Sequence, residues 1–118
     1  MITVYGIPNC DTIKKTRDWF EKNKIEYVFH DYKKSGITKT KLVDWCNKVG
    51  WEIVLNKKST TWKSLSAEDQ KSITNATAAI KVMMENNSII KRPVIEVEDV
   101  ILVGYNEEEF IKQLKIKK

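Results

Sequence analysis

The sequence predicts an α/β fold in which a mixed four-stranded sheet carries helices and an extra helical block is inserted midway. Three features point there. A β-branched and aromatic run at the start passes through a turn into an amphipathic run, and a second strand-like run follows at once. Near the other end, two short apolar runs are separated by two acidic residues, the spacing of a hairpin. A last amphipathic run closes the chain.

Taken in order, ITVYG (2–6) reads as a buried strand. DTIKKTRDWFEKNK (11–24) reads as a helix, because Ile13, Thr16 or Arg17, and Phe20 fall at helical spacing with lysines opposite, and Asp11 or Asn9 is placed to cap it. EYVFHDY (26–32) alternates as a second strand, and KSG (34–36) reads as a turn. TKTKLVDWCNKVG (38–50) puts Leu42, Trp45, Cys46 and Val49 on one face and stops at glycine, so it is an amphipathic helix. SAED (66–69) is a capping-box pattern, and TNATAAIKVMMENN (74–87) a further helix. PVIEV (93–97) and VILVG (100–104) are the hairpin strands. NEEEFIKQLK (106–115) carries glutamates first and lysines last, the charge order that suits a helix dipole. The first two strands, joined by one helix, are expected to be parallel with a right-handed crossover. The order as a whole is the thioredoxin-like plan: a single domain over 1–118 with a helical insertion at about 35–88. Fold alone fixes no function.

At 118 residues the chain is long enough for one domain with its own apolar core. No stretch reaches the roughly 18 apolar residues a membrane span needs. The opening MITVYGIPNC lacks the basic head and long apolar centre of a signal peptide. Two cysteines are too few for a disulfide framework, which suits a reducing cytoplasm. The net charge of +5 comes from lysines scattered along the whole chain. No groove-reading motif accompanies it, so direct nucleic-acid binding is not expected, while an anionic small molecule is compatible. No His/Cys/Asp cluster has metal-ligand spacing and no glycine loop is built to cradle a phosphate. Neither a metal nor a tightly bound cofactor is expected.

Cys10 is the most informative residue. It falls between the first strand and the first helix, where unpaired N–H groups and the helix dipole favour a thiolate over a thiol. Lys14, Lys15 and Arg17 add positive potential, and Asp11 opposes it. The alternative is a structural cysteine, but a strand-to-helix turn is normally exposed, whereas unreactive free cysteine prefers cores. Cys46, on an apolar face with Leu42 and Trp45, reads as a core thiol rather than a resolving one. A C-x-x-C motif would put its second cysteine at position 13, which is Ile13. A mixed disulfide or sulfenate at Cys10 must therefore be resolved by an external thiol, with glutathione the natural reductant or co-substrate.

In IIKRPVIEV (89–97), Pro93 opens the third strand, and an X-Pro bond is the kind that readily becomes cis. Arg92 has the planar fork that grips a carboxylate or oxyanion, and its backbone is placed to pair with an extended thiol substrate. The alternative is a trans proline beside a surface arginine. NKKSTTWKSL (56–65) is cationic and hydroxyl-rich, and Lys57 or Lys58 either completes an anion pocket or lies in a solvated loop. His30, the single histidine, reads as a surface or hydrogen-bonded residue.

Together, YGIPNCDTIKK, GWEIVLNKKSTTWKSL and IIKRP resemble the arsenate-reductase-like family of ArsC, Spx and YffB, most nearly its YffB branch, described as glutathione-dependent thiol reductases. The resemblance covers essentially the whole chain. It implies a thioredoxin-like core with a helical insertion, and it carries the redox cysteine onto Cys10 and the arginine before a cis-proline onto Arg92. The candidate catalytic residues are then Cys10 and Arg92. The candidate substrate-binding residues are Asn9, Thr12, Lys14, Lys57, Lys58 and Pro93. The pattern departs from that of glutathione-linked arsenate reductases, which have C-G-T-S-R where this chain has CDTIK. Their two further oxyanion arginines fall near Asn56 to Lys58 and Gly104 to Asn106, where this chain has NKK and GYN. Arg92 alone remains of those cations, which argues against arsenate as a substrate.

The function this implies is a cytoplasmic, glutathione-dependent thiol-disulfide reductase that uses a single N-terminal redox cysteine on a small thiol, disulfide or oxyanion, with no membrane partner. The alternative is an Spx-like redox-linked transcriptional regulator that binds RNA polymerase. Spx proteins sense redox state through C-x-x-C. Ile13 argues against that disulfide, though not against polymerase binding through the helical insertion.

Overall fold

The structure is a computed structural model that describes residues 2–114. In chain order its elements are β1 (Ile2–Gly6), α1 (Asp11–Lys22), β2 (Val28–Asp31), α2 (Tyr32–Ser35), α3 (Lys39–Val49), α4 (Trp51–Val54), α5 (Thr60–Lys63), α6 (Ala67–Ser72), α7 (Ala76–Glu85), a 3-10 turn (Asn87–Ile89), β3 (Val94–Val97), β4 (Val100–Val103) and α8 (Glu107–Leu114). They fall into two compact units. One takes the residues up to Ser35 and from Arg92 onward, and the other takes Gly36–Lys91.

The first unit holds a four-stranded sheet in the order β2-β1-β3-β4. β1 and β2 are parallel, and the β1–β3 and β3–β4 pairs are antiparallel, so the sheet is mixed and thioredoxin-like. Alternation along the strands sorts the side chains by face. Val4 pairs with Phe29 on one side and Ile95 on the other, and Ile95 with Leu102, which makes one apolar row. Trp19 and Phe20 of α1 and Phe110 of α8 pack on Val4, Ile95 and Leu102. Phe20 and Phe110 meet edge to face, with centroids 5.7 Å apart at 87°, and Trp19 is tilted against both. The next row, Tyr5 with His30 and Val94, points to the opposite face.

Several boundaries differ from the sequence reading, each for a local reason. β2 stops at Asp31 because the Asp31 carboxylate accepts the N–H groups of Lys33 at 3.0 Å and Lys34 at 3.2 Å. That turns the chain into α2, so Tyr32 is helical rather than part of a strand, and most of KSG lies in the helix. The C-terminal end of α1 is drawn in at Lys22, where the Asn23 side-chain amide donates to the Trp19 carbonyl at 2.8 Å. α8 begins one residue later than expected, and Lys115, the last residue of that expected helix, lies outside the described residues.

The second unit is helical. α3 buries Leu42, Trp45 and Cys46, and α7 buries Ala79, Ile80 and Met83. Leu55 and Ile90 form an antiparallel bridge, framed by Asn56 N–H donating to the Ile89 carbonyl and Lys91 N–H to the Val54 carbonyl, both at 2.8 Å. The Ser66 hydroxyl accepts the Asp69 N–H at 3.1 Å, so SAED does cap a helix. NKKSTTWKSL contains a helix of its own, α5, capped by Ser59 accepting the Trp62 N–H at 3.1 Å. No helix among the described residues is long and apolar enough to cross a membrane.

Candidate active site around Cys10

The site begins with a glycine. A Cβ built on Gly6 would lie 2.2 Å from Cδ1 of Ile13 and 2.8 Å from its Cγ1. A side chain at position 6 would collide with the first turn of α1, so glycine lets that helix start tight against the end of β1. The connection through Ile7, Pro8 and Asn9 then delivers Cys10 to the N-cap position of α1.

Cys10 has extended backbone, φ −138° and ψ 126°, and its carbonyl accepts the first helical bond from Lys14 N–H at 2.9 Å. Its side chain makes no capping hydrogen bond. The sequence reading put Asp11 or Asn9 in that role. Instead Asn9 is exposed outside the helix and Asp11 is its first residue. The cysteine is half-buried, and its side chain does not serve the helix as a cap.

Around it, Thr12 is half-buried, with its carbonyl accepting the Thr16 hydroxyl at 2.7 Å, and Lys14 is exposed. The other expected cations are engaged elsewhere. Lys15 lies 4.6 Å over the Tyr105 ring, and Arg17 stacks 4.5 Å over Phe29 while donating to the Tyr27 hydroxyl at 3.1 Å.

Arg92 and Pro93 belong to the same compact unit as Cys10. The bond between them is cis, Pro93 is buried, and its carbonyl accepts Gly104 N–H at 2.8 Å. The Arg92 guanidinium hydrogen-bonds the hydroxyl of Tyr32. Tyr32 is fully buried, and burial pushes its phenol up to about 12 against the opposing pull of Arg92. Cys10 and Asp31 also lie within electrostatic reach of it and push the same way as burial. Tyr32 thus interacts with Arg92 and lies within electrostatic reach of Cys10, and sequence reasoning missed it. No motif marks a tyrosine 60 positions from its arginine partner, and the strand-like look of EYVFHDY hid it. On the same sheet, the Tyr5 hydroxyl donates to Glu96 at 2.8 Å and the Tyr5 ring lies 5.0 Å from that of His30.

The remaining candidates lie in the other unit. Lys58 is exposed beside its turn, and Lys57 holds its ammonium between two indoles, 5.7 Å from Trp51 and 5.6 Å from Trp62. Cys46 is buried there, and desolvation raises its thiol above the ordinary value. That is the core position its helical spacing predicts.

The ArsC family model matches residues 5–113. The chain belongs to the ArsC family. Among solved structures, this ArsC-family chain is similar to the YffB (PA3664) protein, at 39% identity and a TM-score of 0.92, over 97% of this chain and 99% of that one. An uncharacterized protein of Haemophilus influenzae is 43% identical over 93% of the chain and 96% of its own length. The global transcriptional regulator Spx 2 of Lactococcus lactis is 30% identical over 92% of the chain and 83% of its own length.

Proposed function

We propose that this ArsC-family chain is a thiol-disulfide reductase that works through Cys10 with glutathione as its reductant. One observation carries the reading. Of the two cysteines, Cys10 is the half-exposed one, at a helix N-terminus and within electrostatic reach of Tyr32, the partner of Arg92, while Cys46 is buried in the other unit. Position 13, where a partner thiol would stand, is a fully buried isoleucine. In the exchange, the Cys10 thiolate attacks the glutathione sulfur of a mixed disulfide, and the substrate leaves as a thiolate that takes a proton from water. A second glutathione thiolate then attacks the Cys10-bound sulfur, releasing oxidised glutathione and restoring the Cys10 thiolate. Arg92 meets a carboxylate of the tripeptide. Asn9, Thr12, Lys14 and Pro93 share its unit and complete this proposed surface, whereas Lys57 and Lys58 belong to the other unit.

The test is glutathione-dependent reduction of a small mixed disulfide. Parent protein turns over, Cys10→Ala does not, and folded Cys46→Ser does. A parent without turnover, or a Cys10→Ala protein that keeps it, ends this reading. The identity with Spx 2 favours a second one, a cytoplasmic regulator acting on RNA polymerase, which a pull-down with purified polymerase would reveal.

A further inference from the structure

We propose that Tyr32 is a positioning residue, whose hydroxyl fixes the Arg92 guanidinium where an anionic thiol reactant meets the Cys10 sulfur. This rests on Cys10 as the reacting thiol, and it adds a residue that neither motif nor family pattern points to. The sheet register brings the parts together. Gly6, at the end of β1, is paired with Asp31, so Tyr32 follows at that same end of the sheet. Tyr5 is paired with Val94 in an antiparallel ladder, so Arg92, two residues before Val94, also extends past the end of β1. The chain leaves β1 there and reaches Cys10 four residues after Gly6.

Chemistry says why a tyrosine suits the place. Arg92 is only half-buried, and a long side chain at a surface samples many rotamers. A partner must restrain it without cancelling its charge. A carboxylate would restrain it and also neutralise it. The Tyr32 phenol is fully buried, so its ring is held by packing, and it stays protonated far above neutral pH. It therefore accepts from the guanidinium while leaving the positive charge to an incoming anion. The nearby Asp31 carboxylate accepts the backbone N–H groups of Lys33 and Lys34.

The experiment compares alkylation of Cys10 by iodoacetate, an anion, with that by neutral iodoacetamide, so the ratio of rates reads the cation beside the sulfur independently of turnover. We expect Tyr32→Phe, which keeps the ring and removes the hydroxyl, to lower the ratio about 3- to 10-fold while leaving the iodoacetamide rate nearly unchanged, with Arg92→Ala lowering it at least as far. For glutathione the Tyr32→Phe protein should lose affinity, read as a raised KM, more than kcat. An unchanged ratio in Tyr32→Phe overturns the proposal, and so does an unchanged ratio in Arg92→Ala. Should Tyr32→Phe fold poorly by circular dichroism, the parent still decides: sodium sulfate should slow iodoacetate selectively, and equal slowing of both reagents counts against a fixed cation. If the ratio behaves as expected but the parent shows no glutathione turnover, Tyr32 stands as the positioning residue and glutathione is the wrong reductant.

Discussion

Gly6 and Ile13 share one space: a Cβ on the first would lie 2.2 Å from Cδ1 of the second, and Ile13 is fully buried. Gly6→Ala should cost about 1–3 kcal/mol, because an overpacked contact forces a buried side chain off its rotamer. Ile13→Val removes the Cδ1 methyl, so the double variant should be more stable than the sum of the singles predicts. Urea unfolding of the four proteins measures the coupling. Strict additivity would show that the helix start tolerates a side chain at position 6.

The two thiols should differ sharply in reactivity. Cys46 is buried and its thiol is raised by desolvation, so little thiolate is offered at neutral pH, while Cys10 is half-exposed. Limiting iodoacetamide on the folded protein should modify Cys10 well before Cys46, as peptide mass spectrometry would read. Equal labelling would remove the basis for singling out Cys10.

Arg92 should matter to the reaction more than to the fold. A charge-assisted hydrogen bond is worth roughly 1.5–3 kcal/mol, so Arg92→Ala should slow the glutathione-dependent rate about 10- to 100-fold at matched folded fraction. Arg92→Lys should recover only part, since an ammonium cannot form the planar fork. Parental kinetics in the alanine variant would send the search for the anion site to Lys14, Lys57 or Lys58.

Tyr32 predicts a pH dependence at the alkaline end. Its phenol is raised from the ordinary 10.0 to about 12, mainly by burial, with Arg92 opposing and Cys10 and Asp31 reinforcing. Between those values the unfolded chain has released the proton and the folded chain keeps it. The stabilisation is therefore complete below pH 10.0 and lost as pH rises towards about 12. Its size is on the order of 3 kcal/mol. Urea unfolding in steps across that window should show the parent losing more stability than Tyr32→Phe. Parallel losses in the two proteins would mean that Tyr32 ionises alike in both states.

Much of this was legible in the sequence because the signals were local. Ile13, Thr16 and Phe20 fall on the buried face of α1 as their spacing predicts, and Glu98–Asp99 do join β3 to β4. Trp19 was missed on that buried face, since a bulky indole flanked by Asp18 and Phe20 fits more than one helical stripe. What local pattern did not show has a common cause: a side chain chose a partner far along the chain, or a cap redirected the backbone. Arg17 went to Phe29 and Tyr27, Lys57 to Trp51 and Trp62, and Arg92 to Tyr32. Period and composition do not encode such choices. The end of β2 was misread because Asp31, which looks like one more alternating polar residue, closes a turn with its own carboxylate.

Cys10 stands in the position that begins a helix, yet its side chain does nothing to hold that helix's first turn. Serine, aspartate and asparagine all do so better, by up to about 1 kcal/mol over a residue that gives no cap. Cys10→Ser should thus abolish thiol chemistry while making the molecule harder to unfold. A library of variants sorted only for how well they fold would drift toward a hydroxyl or carboxylate at position 10, and the most robust survivors would have no reactive sulfur left.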